Sequence, residues 1–198
     1  MELYQKINLP QIPLEFFSFR YLTPVYGTLN TLKSMDYGLQ HTKAGQVLSV
    51  TDQQIWNITH PDYTDWITRH LPIGANHKLV CWSSLNGEPS CLPIHSDRTG
   101  TITLNYMVSS GGENVTTNWY HENNKNLVRK EKTIGNQSDS GVVLYDNCML
   151  VESAIFNEGE WVCLRVDVLH DVQNITRTRC VWSIRFTDVN MFQVLKSL

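Results

Sequence analysis

The stretch WVCLRVDVLHDVQNITRTRCVWSIRF, residues 161–186, decides the fold class. It predicts two β-strands, Trp161–Leu169 and Thr178–Phe186, which are separated by a short polar turn. Alternate side chains of a strand point to opposite faces, so the second strand has one apolar face and one mixed face. The apolar face, expected to meet an outer packing layer, comprises Cys180, Trp182, Ile184 and Phe186. The mixed face, expected to point into a barrel, comprises Arg179, Val181, Ser183 and Arg185.

The same period of two extends back to Pro72. Short β-rich runs alternate there with turn clusters such as Asn86-Gly87 and Gly135–Gly141. The other predicted strands are Lys78–Trp82, Thr101–Ser109, Val115–Tyr120, Leu127–Lys132 and Val142–Tyr145. Many strands at short spacing favour an antiparallel sandwich or jelly roll over alternating βαβ units.

The first third of the chain is aromatic-rich and irregular. Its early prolines prevent long helices near the N-terminus. Two stretches are nevertheless expected to be helical, one from Gly27 to Met35 and one from an N-cap at Thr51-Asp52 to His70, with a break at Pro61. The buried stripe of the second helix is predicted to be Trp56, Trp66, Ile67 and Leu71.

These patterns together predict a single domain over residues 1–198. Residues 1–74 form a helical or irregular layer in this prediction, and residues 75–198 form the β core. The fold class is therefore mainly β, with N-terminal helices packed outside the barrel.

Composition indicates which partners and which cellular compartment to expect. The net charge is −3 and no basic block occurs, so nucleic acid is not an expected partner. No apolar run approaches 18 residues and no basic-then-apolar leader begins the chain, so no membrane association is expected. The five cysteines are odd in number and lack a CxxC pair, which favours a reducing cytoplasm with the cysteines as small buried hydrophobes.

The triplet His95-Ser96-Asp97 is a candidate half of a metal site. On an extended chain residues i and i+2 project to one face, so the imidazole and the carboxylate can share a target. His170, 73 residues beyond Asp97, is the candidate third ligand. Two histidines and a carboxylate favour non-haem Fe(II), with positions left for a co-substrate and O2. Zinc in a hydrolase competes for the same ligands, and His-x-Asp alone also occurs by chance.

Arg179 and Arg185 are unusual on a face that points into a barrel. Buried cations need paired anions, and a dicarboxylate ligand supplies one through a bidentate contact. The alternative is an edge strand whose arginines are solvated.

As a set, His95-x-Asp97, His170 and Arg179 resemble the HxD…H…R signature of the 2-oxoglutarate and Fe(II)-dependent oxygenases. The stretch from Thr103 to Val108, followed by Gly111-Gly112-Glu113 and by Thr117-Asn-Trp-Tyr120, resembles the third and fourth core strands of that family. The likeness covers residues 75–187 and leaves the N-terminal third unmatched. It implies a double-stranded β-helix, which is the cupin-like jelly roll.

The resemblance implies that His95, Asp97 and His170 bind Fe(II) and form the catalytic centre. It also implies that O2 and 2-oxoglutarate are co-substrates of a hydroxylase. Family members that halogenate replace the carboxylate ligand with a small residue, so Asp97 favours hydroxylation.

The same resemblance assigns the co-substrate residues. Arg179 is expected to bind the distal carboxylate of 2-oxoglutarate, with help from Ser183 on the same face. Tyr106 is favoured over its neighbour Asn105 as a hydrogen-bond donor to that carboxylate, since only one of the two can face inward. Arg185 is expected either to contact substrate or to balance charge.

Two other functions stay open. A non-catalytic small-molecule binder or a cupin-like isomerase would keep the barrel, although cupins usually offer His-x-His where this chain has His95-Ser96-Asp97. A degenerate, metal-free relative with a structural role is the third possibility. For the oxygenase, the sequence leaves the substrate undetermined between a small molecule and a peptide side chain, and it leaves the oligomeric state open.

Overall fold

The computed structural model describes residues 2–25, 42–43, 46–47, 49–50, 52–71, 77–84, 89–97, 101–123, 148–186 and 191–198. The first strands are β1 (Tyr4–Ile7), β2 (Leu22–Pro24), β3 (Thr42–Lys43), β4 (Gln46–Val47), β5 (Ser49–Val50) and β6 (Asp52–Ile58). The remaining strands are β7 (His77–Ser83), β8 (Ser90–His95), β9 (Ile102–Ser110), β10 (Thr116–Glu122), β11 (Cys148–Ile155), β12 (Trp161–Arg165), β13 (His170–Ile175) and β14 (Arg179–Phe186). The helices are α1 (Tyr63–His70), α2 (Met191–Ser197) and two 3-10 turns, Leu14–Phe17 and Phe19–Tyr21. No helix within these ranges is both long enough and apolar enough to cross a membrane.

Two sheets face each other. The larger has the order β1-β12-β9-β14-β7-β6-β2, and the smaller has the order β11-β10-β13-β8-β5. Of the eight strands from β7 to β14, four lie in each sheet, and all the pairings among them are antiparallel. This alternation between sheets is the strand order of a jelly roll, or double-stranded β-helix. The predicted fold class is confirmed.

Apolar side chains fill both faces of the larger sheet. The inner cluster, between the sheets, includes Met107, Trp119, Phe156, Val162 and Val181. The outer cluster packs the other face against α1 and the N-terminal turns, and includes Ile12, Phe16, Ile67, Leu104, Tyr106, Trp161 and Trp182. In β14 the side chains alternate between these clusters as predicted, with Val181 inside and both Trp182 and Ile184 outside.

The N-terminal third contributes strands as well as a layer. β1, β2 and β6 extend the larger sheet directly, so this part of the chain is not only a helical cover. The predicted helix from Thr51-Asp52 to His70 is wrong over its first half, because Asp52–Ile58 pairs with β7 as a strand. A helix begins only at Tyr63, beyond Pro61, and buries Ile67 with Leu71 after it. The predicted helix from Gly27 to Met35 lies outside the described residues.

The polar turn predicted after His170 is also wrong. Residues His170–Ile175 form β13, and the preceding strand ends at Arg165 rather than Leu169. The polar residues after His170 suggest an exposed turn, but Asp171 is fully buried in the sheet. Its carboxylate accepts hydrogen bonds from Asn118 Nδ2 at 2.7 Å and from the Tyr120 hydroxyl at 3.0 Å.

Two further strands, β8 and β11, were not predicted as separate elements. The predicted strands Leu127–Lys132 and Val142–Tyr145 lie outside the described residues.

Cys81 and Cys180 form a disulfide, against the expectation that all five cysteines are free. The two residues lie directly opposite each other on β7 and β14, with their Cα atoms 4.2 Å apart. Cys91 and Cys163 are buried thiols, as expected.

We expect Tyr63→Phe to destabilise the outer cluster. The buried Tyr63 hydroxyl accepts a hydrogen bond from Trp182 Nε1 at 2.6 Å and lies 2.6 Å from His77 Nδ1. Its removal leaves the buried indole N–H without a partner, which costs about 1–3 kcal/mol of unfolding free energy. Urea denaturation followed by circular dichroism measures the loss.

The control is Thr68→Ala, which removes an exposed hydroxyl from α1 that bonds the Thr64 carbonyl. A change within about 0.5 kcal/mol is expected there. Equal stability of Tyr63→Phe and the wild-type protein would contradict the assigned hydrogen bond.

Candidate metal centre

Two adjacent strands of the smaller sheet bring the two histidines together. His95 ends β8, His170 begins β13, and the two are direct partners in the antiparallel register. Residues opposite each other in such a pair project to the same face. The imidazole rings accordingly lie with their centroids 4.4 Å apart.

Asp97 completes the group just beyond the end of β8. Its backbone N–H donates to the Val166 carbonyl at 2.7 Å, which fixes the chain after the strand. Its Oδ1 lies 3.6 Å from His95 Nε2. One ligand atom from each of His95, Asp97 and His170 lies within 4.8 Å of the other two. Among the described residues, no other set of His, Cys, Asp and Glu side chains converges in this way.

His170 is held as a neutral imidazole. Its Nδ1 lies 2.8 Å from the Val168 carbonyl, which can only accept, so Nδ1 carries the proton and Nε2 keeps its lone pair. Burial, reinforced by the neighbouring His95, lowers the pKa of His170 to about 4. A histidine ligand must be unprotonated to bind a metal, so this state suits the role.

Arg185 holds the carboxylate of Asp97. Its Nη2 lies 3.0 Å from Asp97 Oδ2, while the side chain of Arg185 remains about half exposed. Burial acts to raise the pKa of Asp97, but the Arg185 guanidinium and the two histidines outweigh it and the pKa is lowered. The carboxylate is therefore ionised, and Arg185 balances its charge, which is one of the two roles expected from the sequence.

Arg179 is a buried cation at the start of β14. It is 3% exposed, and its Nη1 donates to the Ser110 carbonyl at 3.0 Å. No carboxylate in the described part of the chain forms an ion pair with it. Burial lowers the pKa of the guanidinium to about 10, which leaves it charged at neutral pH. A buried charge without a counter-ion is unfavourable, so this position suits an anionic ligand.

Gly111 allows the chain to pass close to Arg179. It has φ +85°, in the left-handed region that favours glycine, and a Cβ built there would lie 2.6 Å from Arg179 Cβ. Any other residue would push β9 away from the base of the arginine.

Ser183 lies on the inner face of β14 within a small polar group. It is the register partner of Asn105 on β9, so both side chains share that face. Thr103 Oγ1 lies 2.9 Å from Ser183 Oγ and 3.0 Å from Asn105 Oδ1. Alternation along the strand predicts Ser183 on the same face as Arg179 and Arg185, and the structure has it there.

Tyr106 is not brought to this face. Its ring belongs to the outer cluster and lies 5.0 Å, centroid to centroid, from the ring of Trp161. Adjacent residues of a strand face opposite sides, so the inward residue of the pair is Asn105. Which of the two residues faces inward is fixed by the pairing of β9 with β14, where Asn105 lies opposite Ser183 and Tyr106 lies opposite Trp182. The sequence of β9 alone does not contain this information.

Comparisons with known proteins give only weak structural similarities. No protein-family profile and no curated protein matches the sequence. The chain is similar to a crystal structure of a Pseudomonas putida prolyl-4-hydroxylase, with 11% identity and a TM-score of 0.42, over 94% of this chain and 93% of the other. It is also similar to a Trichoplax adhaerens prolyl hydroxylase solved with a hypoxia inducible factor peptide fragment, with 9% identity and a TM-score of 0.40 over 88% and 87%. Likenesses at this level assign neither residues nor an activity to this chain.

We expect His170→Ala to weaken Fe(II) binding on the order of 100-fold or more, because it removes one of three converging ligand atoms. Anaerobic competition with a chromophoric chelator measures the affinity. His121→Ala, which alters an exposed histidine on β10, is the matched control and should bind as the wild type does. Unchanged affinity in His170→Ala would remove this group as the metal site.

The stability of the metal-free protein is expected to fall as the pH drops from about 6.5 to about 4. In that window the unfolded chain protonates His170 and the folded chain does not, so protons favour unfolding by up to about 1.4 kcal/mol per pH unit. The lowered pKa of Asp97 acts only below the ordinary value of 3.8. His170→Gln should flatten this dependence in urea titrations, whereas the exposed-site variant His121→Gln should not; equal slopes in all three proteins would contradict the assignment.

Proposed function

We propose that this protein is a non-haem Fe(II) dioxygenase that couples the oxidative decarboxylation of 2-oxoglutarate to hydroxylation of a substrate. One observation carries the proposal. Two imidazoles and a carboxylate converge at one point of a jelly roll that also buries a cation, Arg179, with no protein anion among the described residues. The first feature suits the metal, and the second suits a dicarboxylate co-substrate.

His95, Asp97 and His170 would hold the metal. Their donor atoms are two nitrogens and one oxygen, the set that suits Fe(II) in oxygenases and that zinc hydrolases also use. Fe(II), when bound, would supply the activation of O2, with 2-oxoglutarate as the reductant. Arg179 favours the oxygenase over the hydrolase, because hydrolysis at zinc needs only water and substrate and leaves a buried guanidinium without a role.

The residues for 2-oxoglutarate lie along one face of β14. Arg185 contacts Asp97 at the metal end, and Ser183 and Arg179 follow on the same side at about 7 Å and about 20 Å along the strand. Arg179 would bind the distal carboxylate through its guanidinium, with its own side chain covering much of that distance. Ser183, with its partner Asn105, would meet the middle of the co-substrate, and Tyr106 has no part in this proposal.

The chain's other contacts keep the ligands in place. Arg185 holds Asp97 Oδ2, which leaves Oδ1 directed toward His95. The Val168 carbonyl orients the ring of His170 through Nδ1. Such outer partners fix the direction of metal ligands and are as important as the ligands for affinity.

The proposed substrate is a small molecule or a peptide side chain that reaches the triad. Arg185 lies nearest to solvent among the charged groups of the site, since its side chain is 53% exposed. An incoming polar group would meet its exposed guanidinium first.

Anaerobic titration of 2-oxoglutarate into the Fe(II)-loaded protein tests the proposal. We expect a saturable, weak visible charge-transfer band, because a keto acid that chelates Fe(II) produces one. Arg179→Ala should weaken the binding by roughly 100-fold, the loss expected for a buried bidentate ion pair. Arg177→Ala is the matched control, since it removes an exposed arginine two residues away, and should titrate as the wild type does.

Asp97→Ala should abolish the band by removing a metal ligand. Stoichiometric iron without a band in the wild type would overturn the oxygenase and favour a small-molecule binder or a cupin-like isomerase on the same barrel. Failure to take up iron would leave a metal-free scaffold.

A further inference from the structure

Trp82 is the cross-strand neighbour of Arg179. The two residues are direct register partners on β7 and β14. Side chains at opposite positions of an antiparallel pair share a face, with Cβ atoms about 4.5–5.5 Å apart. The indole of Trp82 packs against the inner cluster and also against a second apolar cluster that includes Val115, Val172 and Ile175. It therefore lies between the two sheets, beside the arginine.

The indole nitrogen of Trp82 is a buried donor without an acceptor in the described part of the chain. It is shielded from solvent, yet it has no hydrogen-bond partner, and no other described side chain has a buried nitrogen or oxygen in that state. Three other buried tryptophans in the described ranges all donate. Trp119 Nε1 bonds the Arg165 carbonyl, Trp161 Nε1 the Pro10 carbonyl and Trp182 Nε1 the Tyr63 hydroxyl. A buried donor left unpaired is costly and needs an explanation.

The neighbouring side chain of Arg179 explains the unpaired indole N–H of Trp82. In the described part of the chain, a buried guanidinium without a carboxylate partner and a buried indole N–H without an acceptor occupy opposite positions on one face. The indole can only donate, and a carboxylate offers two oxygens with lone pairs enough for both groups. Among the described residues no acceptor reaches the indole nitrogen, and a lone water needs two to four polar partners.

We propose that Trp82 Nε1 donates a hydrogen bond to the same ligand carboxylate that Arg179 binds, and so makes the site selective for a dicarboxylate. This rests on the proposed function, which supplies the ligand. A keto acid that ends in a methyl group would leave the guanidinium without a counter-ion and the indole N–H without an acceptor. A site that loses two such interactions rejects the analogue more strongly than a site that loses one.

The test compares 2-oxoglutarate with 2-oxopentanoate, which has the same keto-acid head and a methyl group in place of the distal carboxylate. Both are titrated anaerobically into Fe(II)-loaded wild-type protein and Trp82→Phe, which removes the N–H and keeps an aromatic ring. We expect Trp82→Phe to weaken 2-oxoglutarate binding by roughly tenfold, the effect of one hydrogen bond to a charged group. The affinity for 2-oxopentanoate should stay within about twofold, since it lacks the acceptor.

Trp161→Phe is the matched control. It makes the same chemical change on the outer face, where the N–H donates to the Pro10 carbonyl, and should leave both ligand affinities unchanged even where it lowers stability. Iron affinity, measured separately for each variant, should not change either. A variant that loses iron as well as 2-oxoglutarate would show a general disturbance of the barrel and would overturn a specific role for Trp82.

A second measurement serves if Trp82→Phe does not fold. In Zn(II)-loaded wild-type protein with 15N-labelled tryptophan, the indole proton of Trp82 should move downfield with 2-oxoglutarate and not with 2-oxopentanoate. Equal binding of 2-oxoglutarate by Trp82→Phe, or an unmoved indole resonance, would overturn the inference and leave the proposed function intact. Wild-type protein that binds no 2-oxoglutarate would overturn both, so the two failures are distinguishable.

Discussion

The register between β8 and β13 is the constraint on which the site depends. It sets His95 opposite His170, and a slip of one residue would turn one imidazole to the other side of the sheet. The next residue, Asp171, fixes the register of β13 with its other neighbour, β10. Its fully buried carboxylate faces away from the metal side and is held by Asn118 and Tyr120 of the neighbouring strand β10. A slip of β13 against β10 would take this buried carboxyl group away from its donors, which is costly.

The charged side chains along β14 comprise one ion pair, Asp97 with Arg185, and one buried cation, Arg179. Asp97 and Arg185 neutralise each other at the end where the triad lies. Arg179 lies six residues before Arg185 on the same strand, and within the described ranges its hydrogen-bond partner is the Ser110 carbonyl and no carboxylate pairs with it. One face of β14 thus contacts both ends of the proposed site. Arg185 holds the metal ligand Asp97 at one end, and Arg179 offers a cation to the distal carboxylate at the other.

Local pattern predicted those features that depend on a single strand. The alternation in residues 179–186 gave the correct faces for Val181, Trp182 and Ile184, and the His95-x-Asp97 spacing brought two candidate ligands to one side. The errors concern partners that are distant in sequence. The parity of Tyr106 and Asn105 is decided by pairing with β14. The segment Asp52–Ile58 is a strand because β7 lies beside it, and the Cys81–Cys180 bond joins residues 99 positions apart.

The disulfide has a consequence for the cost of binding. Cys81 precedes Trp82 and Cys180 follows Arg179, so the covalent link joins the two strands one residue away from both side chains. The backbones that carry the guanidinium and the indole are therefore tied together before any ligand arrives. The entropy of ordering them is lost when the chain folds rather than when an anion binds, which is preorganisation in its simplest form.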